Sequence, residues 1–225
     1  MTFSVVGRCA NTGMTGVAIT TSSIAVGSRC PHARAGAGAV TTQNITDPSL
    51  GPAVLDLMQA GKNAKDAIAT VMQDRPHADY RQIAAIDLNG MTSSFTGKNI
   101  LGTNAVASGV DCIGAGNLLS NEAVPAVMVA SFEAHQALHL ADRLVTALQA
   151  GIDAGGEEGP THSAALIVAH AHAWPLVDLR VDWSDTCPVV VLRALWDAYE
   201  PQMQPYLMRA IDPAAAPSYG VAGDE

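Results

Sequence analysis

A layered α+β sandwich is the fold class this sequence predicts, and two observations predict it. Strand-like and helix-like segments arrive in blocks rather than in strict alternation, which argues against a doubly wound parallel sheet. No linker rich in Ser, Pro or charge divides the 225 residues, so one domain over residues 1–212 is expected, followed by a flexible tail over 213–225. A hydrophobic fraction of 48% against 15% charged residues supplies a large core. No repeat of fixed period stands out.

The first block holds apolar runs at 3–6, 17–19, 24–26 and 37–42, rich in Gly, Ser, Thr and Val and parted by Gly-bearing turns. This composition predicts a sheet of successive neighbours. Asn11-Thr12-Gly13 fits a short hairpin connection, making the first two strands antiparallel. The period then changes to about 3.6. Asp47 as cap, Pro48 at the first position and Gly61 as terminator frame a helix whose apolar face carries Val54, Leu57 and Met58. Asn63 caps a second helix, with Ala64, Ala67, Ile68, Val71 and Met72 on one side, stopping before Pro76.

Strand character returns at 82–87 and 91–96 around the hairpin signal Asn89-Gly90, then at 105–108 and 110–113. A second helix pair follows, one through Val124, Val127, Met128, Ser131 and Phe132. The other runs through Leu138, Ala141, Leu144, Val145, Leu148 and Ile152 and closes at Gly155-Gly156. Strands at 163–169 and 176–181 and a helix through Val189, Leu192, Leu195, Trp196 and Tyr199 complete the chain.

Several function classes are disfavoured. Lys and Arg total 12 against 21 Asp and Glu, a net charge of −9, and a field of that sign repels nucleic-acid phosphates and anionic lipid. The opening residues lack the basic and long apolar regions of a secretory signal, and no apolar run approaches the ~20 residues of a membrane span, so the expected location is the cytoplasm. Cys9, Cys30, Cys112 and Cys187 stand far apart without a Cys-x-x-Cys pair and read as ordinary buried thiols. His135 and His139 have helical spacing, and His170 and His172 alternate as on a strand, so each pair can present two nitrogens on one face. Neither holds the inner glutamate of His-Glu-x-x-His and no third ligand is nearby, so no metal or other cofactor is expected. Gly36-x-Gly38 and Gly114-x-Gly116 are too short for a dinucleotide fingerprint and read as tight turns.

The residue richest in chemistry is Thr2. Removal of Met1 would place a hydroxyl and a free amine on this one residue at the mouth of a strand. An α-amine with a pKa near 8 is partly unprotonated at neutral pH and can act as base toward its own hydroxyl. Many proteins begin Met-Thr for no catalytic reason, so the residue alone decides nothing.

A wider pattern bears on it. The opening Met1-Thr2-Phe3-Ser4-Val5-Val6-Gly7-Arg8 and the stretch from Ala25-Val26-Gly27 through Pro31, Ala33-Arg34-Ala35-Gly36, Gly38-Ala39-Val40 and Thr42-Gln43 belong to it. So do Gly116-Asn117, Ser163-Ala164-Ala165-Leu166 and Leu179-Arg180-Val181-Asp182. Together these resemble the family of domain of unknown function number 1028 over nearly the whole chain. Members of that family are similar in fold to N-terminal-nucleophile (Ntn) hydrolases, four-layer αββα sandwiches that typically cleave amide bonds. The resemblance implies that architecture here and places Thr2 at the nucleophile position.

Such a nucleophile needs donors for a developing oxyanion and a cation near the amine. Arg34, at the end of a loop entering a strand, is the candidate cation and carboxylate binder, or else a structural ion pair with one of the many acids. His32 in the same loop is a candidate for orienting a substrate or shuttling a proton, or a loop histidine without a role. Gln43, Asn44 and Asn117 are candidate amide donors, though such residues also cap turns. Ser163 either reaches the site or bonds within its sheet. The first expectation is therefore an amidohydrolase cleaving a C–N bond of a small molecule through Thr2, with further copies of the chain as partners in a homo-oligomer. The alternative is a non-catalytic binding or structural protein that keeps the fold. Ser4 or Cys9 as an internal nucleophile is weaker, because neither has a visible base beside it.

Overall fold

The computed structural model describes residues 2–222; Met1, whose removal the Thr2 chemistry requires, and residues 223–225 of the expected tail lie outside the described residues. Among the described residues two antiparallel sheets and five α-helices form a mixed α+β architecture. The larger sheet joins β1 (Thr2–Arg8), β2 (Thr15–Thr21), β7 (Ala105–Gly109), β8 (Cys112–Asn117), β9 (Ser163–Ala169) and β10 (Val177–Val181) in the order β10-β9-β2-β1-β8-β7. The smaller joins β3 (Pro31–Arg34), β4 (Gly38–Asn44), β5 (Arg81–Asp87) and β6 (Thr92–Thr96) in chain order.

Three hydrophobic clusters say what covers each sheet face. Phe3 and Val5 of β1 pack with Met128 and Phe132 of α3 (Val124–Ala134), Leu144 and Leu148 of α4 (Leu140–Asp153) and Leu192 and Trp196 of α5 (Pro188–Ile211). Val40, Ile83 and Ala85 pack with Val54 and Met58 of α1 (Leu50–Gln59) and Ile68 of α2 (Ala64–Met72). Between the sheets lies a third cluster that includes Val6, Ile19, Ala39, Ala84, Ile113, Ala115 and Ala165. Its many alanines allow the two backbones to come close. Because strand side chains alternate, Phe3 and Val5 face the helices while Thr2, Ser4 and Val6 face the other sheet.

Turn and cap chemistry lands largely where expected. The Asn11-Thr12-Gly13 hairpin pairs β1 with β2 over Thr2↔Thr21 to Arg8↔Thr15, and Asn89-Gly90 joins β5 to β6 with Gly90 at φ 87. Asn63 caps α2 by accepting from Asp66 N. Asp47 stands two residues ahead of the cap position: α1 starts at Leu50 with Ser49 before it, and Asp47 Oδ1 accepts from the backbone N–H and hydroxyl of Ser49.

Four expectations are corrected. Residues 24–26 are not a strand: Ala25 is left-handed at φ 56, the short 3-10 turn Val26–Ser28 follows, and the Val26 N–H is taken by Ser163 Oγ. The segment read as a loop holding His32 and Arg34 is the strand β3. Gly114 and Gly116 are not a turn but lie within β8, where a Cβ would stand 2.9 Å from Pro125 O and 2.6 Å from Leu119 Cδ2. The histidine pairs share no element: α3 ends before His135 and His139 precedes α4, while His170 and His172 follow the end of β9. The described part of the tail docks on α5, with the Arg209 guanidinium 3.7 Å from the Tyr219 ring centroid and bonded to Pro217 O at 3.0 Å. No helix among the described residues is long and apolar enough to cross a membrane.

Gly38 opens β4 at φ 138, and a Cβ there would collide with the Ile86 carbonyl of β5. Gly38→Ala is expected to destabilise the protein by about 2 kcal/mol or more, read as a lower urea midpoint with an unchanged slope.

Candidate active site

Strand register builds the site. Ser163, Thr21, Thr2 and Asn117 stand directly opposite one another on β9, β2, β1 and β8. Directly opposed residues share a face, and Ala165, Ile19, Val6 and Ile113 of the same four strands lie between the sheets. The row therefore faces the smaller sheet at one end of the intersheet space. Thr2 is 6% exposed, and its Oγ1 lies 3.0 Å from Thr21 Oγ1. Ser163 Oγ donates to Ser23 O at 2.6 Å and accepts from Val26 N at 3.1 Å, pinning the segment after β2 against the row.

Beneath the row runs a buried polar network. Ser4 Oγ donates to Gln43 Oε1 at 2.8 Å, and Gln43 Nε2 donates to Gln82 Oε1 at 2.8 Å. Asn117 Nδ2 donates to the same Gln82 oxygen at 3.2 Å, while Gln82 Nε2 donates to Gly116 O at 3.1 Å. All four side chains belong to residues 0% exposed, where an unmade hydrogen bond costs about 1–3 kcal/mol. Asn117 Oδ1 is the exception: it is buried without a hydrogen-bond partner among the described residues. Such an atom beside Thr2 is suited to receive a donor from a ligand.

Of the residues singled out in the sequence, Thr2, Gln43, Asn117 and Ser163 come together and three do not. His32 is paired with Val40, which faces α1, and its ring fills the space a Cβ on Gly51 would need. Burial pulls its pKa below the ordinary imidazole value. Arg34 shares that outward face and donates to Asp56 Oδ1 at 2.6 Å and Gln59 Oε1 at 3.0 Å, so its charge is spent on α1 in a half-exposed ion pair. Asn44, at φ 72, bonds Tyr80 O and Leu101 N and holds loops together. Ser4 donates its hydroxyl proton to Gln43, and Cys9 lies past the far end of β1. His170 Nε2 meets Thr12 O, and His172 stacks on Trp174. No group of three metal-ligating side chains occurs among the described residues.

Two residues of the site escaped the sequence reading. Gln82 is the hub of the network, and its one visible signal is its place in the alternation Gln82, Ala84, Ile86 along β5. Glu157 lies in an irregular segment with no periodic signal at all. Its backbone bridges Leu119, two residues beyond the Asn117 that pairs with Thr2, so it flanks the amino end of β1. It is 6% exposed, and neither carboxylate oxygen makes a hydrogen bond of good geometry among the described residues, although the Ser22 N–H acts on the group. Burial pushes its pKa up to about 8, against the pull of the positive charge at the amino end of the chain and of the Ser22 N–H. Glu157 also lines a cavity of about 290 Å³ together with Ile152, Pro160, Thr161, Asp185 and Cys187. Thr2, Gln43 and Asn117 are not among the residues lining it, and the cavity meets the site at Glu157.

The family model described as a family of unknown function, DUF1028, matches residues 2–192. The chain belongs to this family. It is similar to protein SPO2555 from Silicibacter pomeroyi, a DUF1028 protein of known crystal structure, with 30% identity, 88% of each chain covered and a TM-score of 0.81. No curated protein matches the chain. The DUF1028 match takes in Thr2, the glutamine–asparagine network, Glu157 and Ser163, and it ends inside α5.

A carboxyl whose folded pKa exceeds its unfolded value binds more protons folded than unfolded, so its contribution to stability is lost as pH rises through that window. For Glu157 the window runs from 4.5 to about 8. His32 and His139, both depressed by burial, act in the opposite sense below their ordinary value of 6.5. Between pH 6.5 and 8 the protein that keeps Met1 should therefore lose stability relative to its Glu157→Gln variant, by up to about 1.4 kcal/mol per pH unit, measured by urea unfolding. Parallel curves for the two proteins would contradict the assignment.

Proposed function

We propose that this protein is an amidohydrolase of the N-terminal-nucleophile type, cleaving a C–N bond of a small molecule through Thr2 once Met1 has been removed. The observation that carries the reading is the register that sets Thr2, first residue of a strand paired on both sides, beside the buried amide of Asn117. The order of helices, sheet, sheet and helices is what an αββα sandwich of that class requires, which supports the reading further.

The chemistry follows from the groups in place. The α-amine of Thr2 takes the proton from Oγ1 as the oxygen attacks the carbonyl carbon. Thr21 Oγ1, 3.0 Å away, holds the attacking oxygen in one rotamer. Asn117 Nδ2 gives one N–H to Gln82 and carries a second, a donor for the developing oxyanion. Gln43, bonded at both ends of its amide to Ser4 and Gln82, supports this geometry instead of touching substrate. Collapse of the tetrahedral intermediate expels the amine and leaves an ester on Thr2, which water hydrolyses.

One observation favours the alternative of a non-catalytic protein: the expected cation, Arg34, is engaged on the outer face of the smaller sheet. The two readings separate cleanly. Protein made without a tag in cells with normal methionine removal is expected to have the mass of a chain starting at Thr2. It should hydrolyse at least one member of a small-amide panel, with Thr2→Ala lowering kcat/KM by about a thousandfold and Asn117→Ala lowering kcat by about a hundredfold. Retention of Met1, or full activity in Thr2→Ala, would end the catalytic reading.

A further inference from the structure

We propose that Glu157 is the positioning residue for the α-amine of Thr2: its carboxylate accepts a hydrogen bond from that amine, aims the nitrogen lone pair at Oγ1 and sets the pH range in which the amine takes up a proton. The inference rests on the hydrolase reading above and adds to it a group that no sequence motif marks.

Position is the first argument. Thr2 is paired with Thr21 on one side and Asn117 on the other. Glu157 is tied to the continuation of both neighbours: its backbone bridges Leu119 beyond Asn117, Glu158 N donates to Leu118 O at 3.0 Å, and the Ser22 N–H that follows Thr21 acts on its carboxylate. A side chain so bracketed stands across the end of β1, where the amine of a chain starting at Thr2 emerges. Satisfaction is the second argument. A carboxylate more than nine-tenths buried, acted on by the Ser22 N–H but without a hydrogen bond of good geometry among the described residues, is costly unless a further donor arrives. An amine at Thr2 brings two or three N–H groups to that spot.

The charged and titratable surroundings agree. The buried Cys30 thiol lies ahead of β3, and burial raises its pKa. Asp185 lines the adjoining cavity from the segment before α5. His162, beside Ser163, has its Nδ1 2.8 Å from Ser184 O and its ring stacked on Trp183. None of these supplies the missing donor. In the reaction the Oγ1 proton passes to the amine while the oxygen–carbon bond forms and the carbonyl electron pair moves to oxygen. When the C–N bond breaks, the ammonium returns that proton to the leaving nitrogen, and Glu157 holds the amine throughout.

The test reads the amine itself and needs no substrate. Protein released from an amino-terminal fusion so that it starts at Thr2 is labelled with trace acetic anhydride across pH 5–10. Labelling is measured by mass spectrometry of the terminal peptide, with Lys62 and Lys65 as internal references and circular dichroism as the folding check. Loss of the neighbouring carboxylate lowers the amine pKa, so Glu157→Gln should label at least about threefold faster than wild type at pH 8, and Glu157→Asp should fall between the two. Superimposed profiles for all three would overturn the proposal. A shifted profile in a protein that hydrolyses nothing would leave the Glu157 assignment standing and remove the hydrolase reading; hydrolysis with unshifted profiles would do the reverse.

Discussion

The side-chain amide of Gln82 is the constraint on which the arrangement at the amino end depends. One oxygen accepts from Gln43 and from Asn117, and the nitrogen donates to the Gly116 carbonyl. Through Ser4 the same chain of bonds reaches β1. Elsewhere the two sheets meet through small apolar residues such as Ala39, Ala84 and Ala115, which press them together without fixing a direction. Hydrogen bonds in a dry interior do fix a direction, because each unmade bond is expensive and the geometry that makes all of them is narrow. The network thus holds Asn117 in one orientation next to Thr2.

Thr2 is held from its other side by packing. Phe3 points into the helical layer, where Gly151 of α4 leaves room for its ring; a Cβ on that glycine would lie 2.9 Å from Phe3 Cε2. Seven consecutive pairs with β2 and six with β8 then leave β1 no freedom to slide. A reacting hydroxyl carried by a strand this constrained is positioned before any substrate arrives, which is where much of the rate enhancement of such a site would originate. Glu157 flanks the amino end from a segment that belongs to no strand or helix and lines a cavity of about 290 Å³.

Much of this was readable from residue order. Hairpins at Asn11-Thr12-Gly13 and Asn89-Gly90 and the Asn63 cap are local chemistry, and local chemistry decided them. Gln43 and Asn117 were recognisable as amides ending strands, and their meeting follows from two strands facing each other. His32 and Arg34 failed on parity: placed on a strand rather than a loop, their side chains take the face of Val40, toward α1, while Gln43 takes the opposite one. Gly114 and Gly116 look like turn residues in isolation, and only the approach of Pro125 and Leu119 explains why a strand needs them. Glu157 and the hub role of Gln82 are set by contacts between segments far apart in the chain, which no spacing along it encodes.

The most direct measurement is covalent trapping at the amino end. Protein beginning at Thr2 is incubated with a small β-lactone, whose strained ester acylates an activated hydroxyl, and the adduct is located by peptide mapping. A single adduct on Thr2, absent when Asn117 is replaced by Leu in a variant that remains folded, is the predicted result. Modification of Ser4, Cys9 or no residue at all, with Thr2 unmodified, would contradict the account.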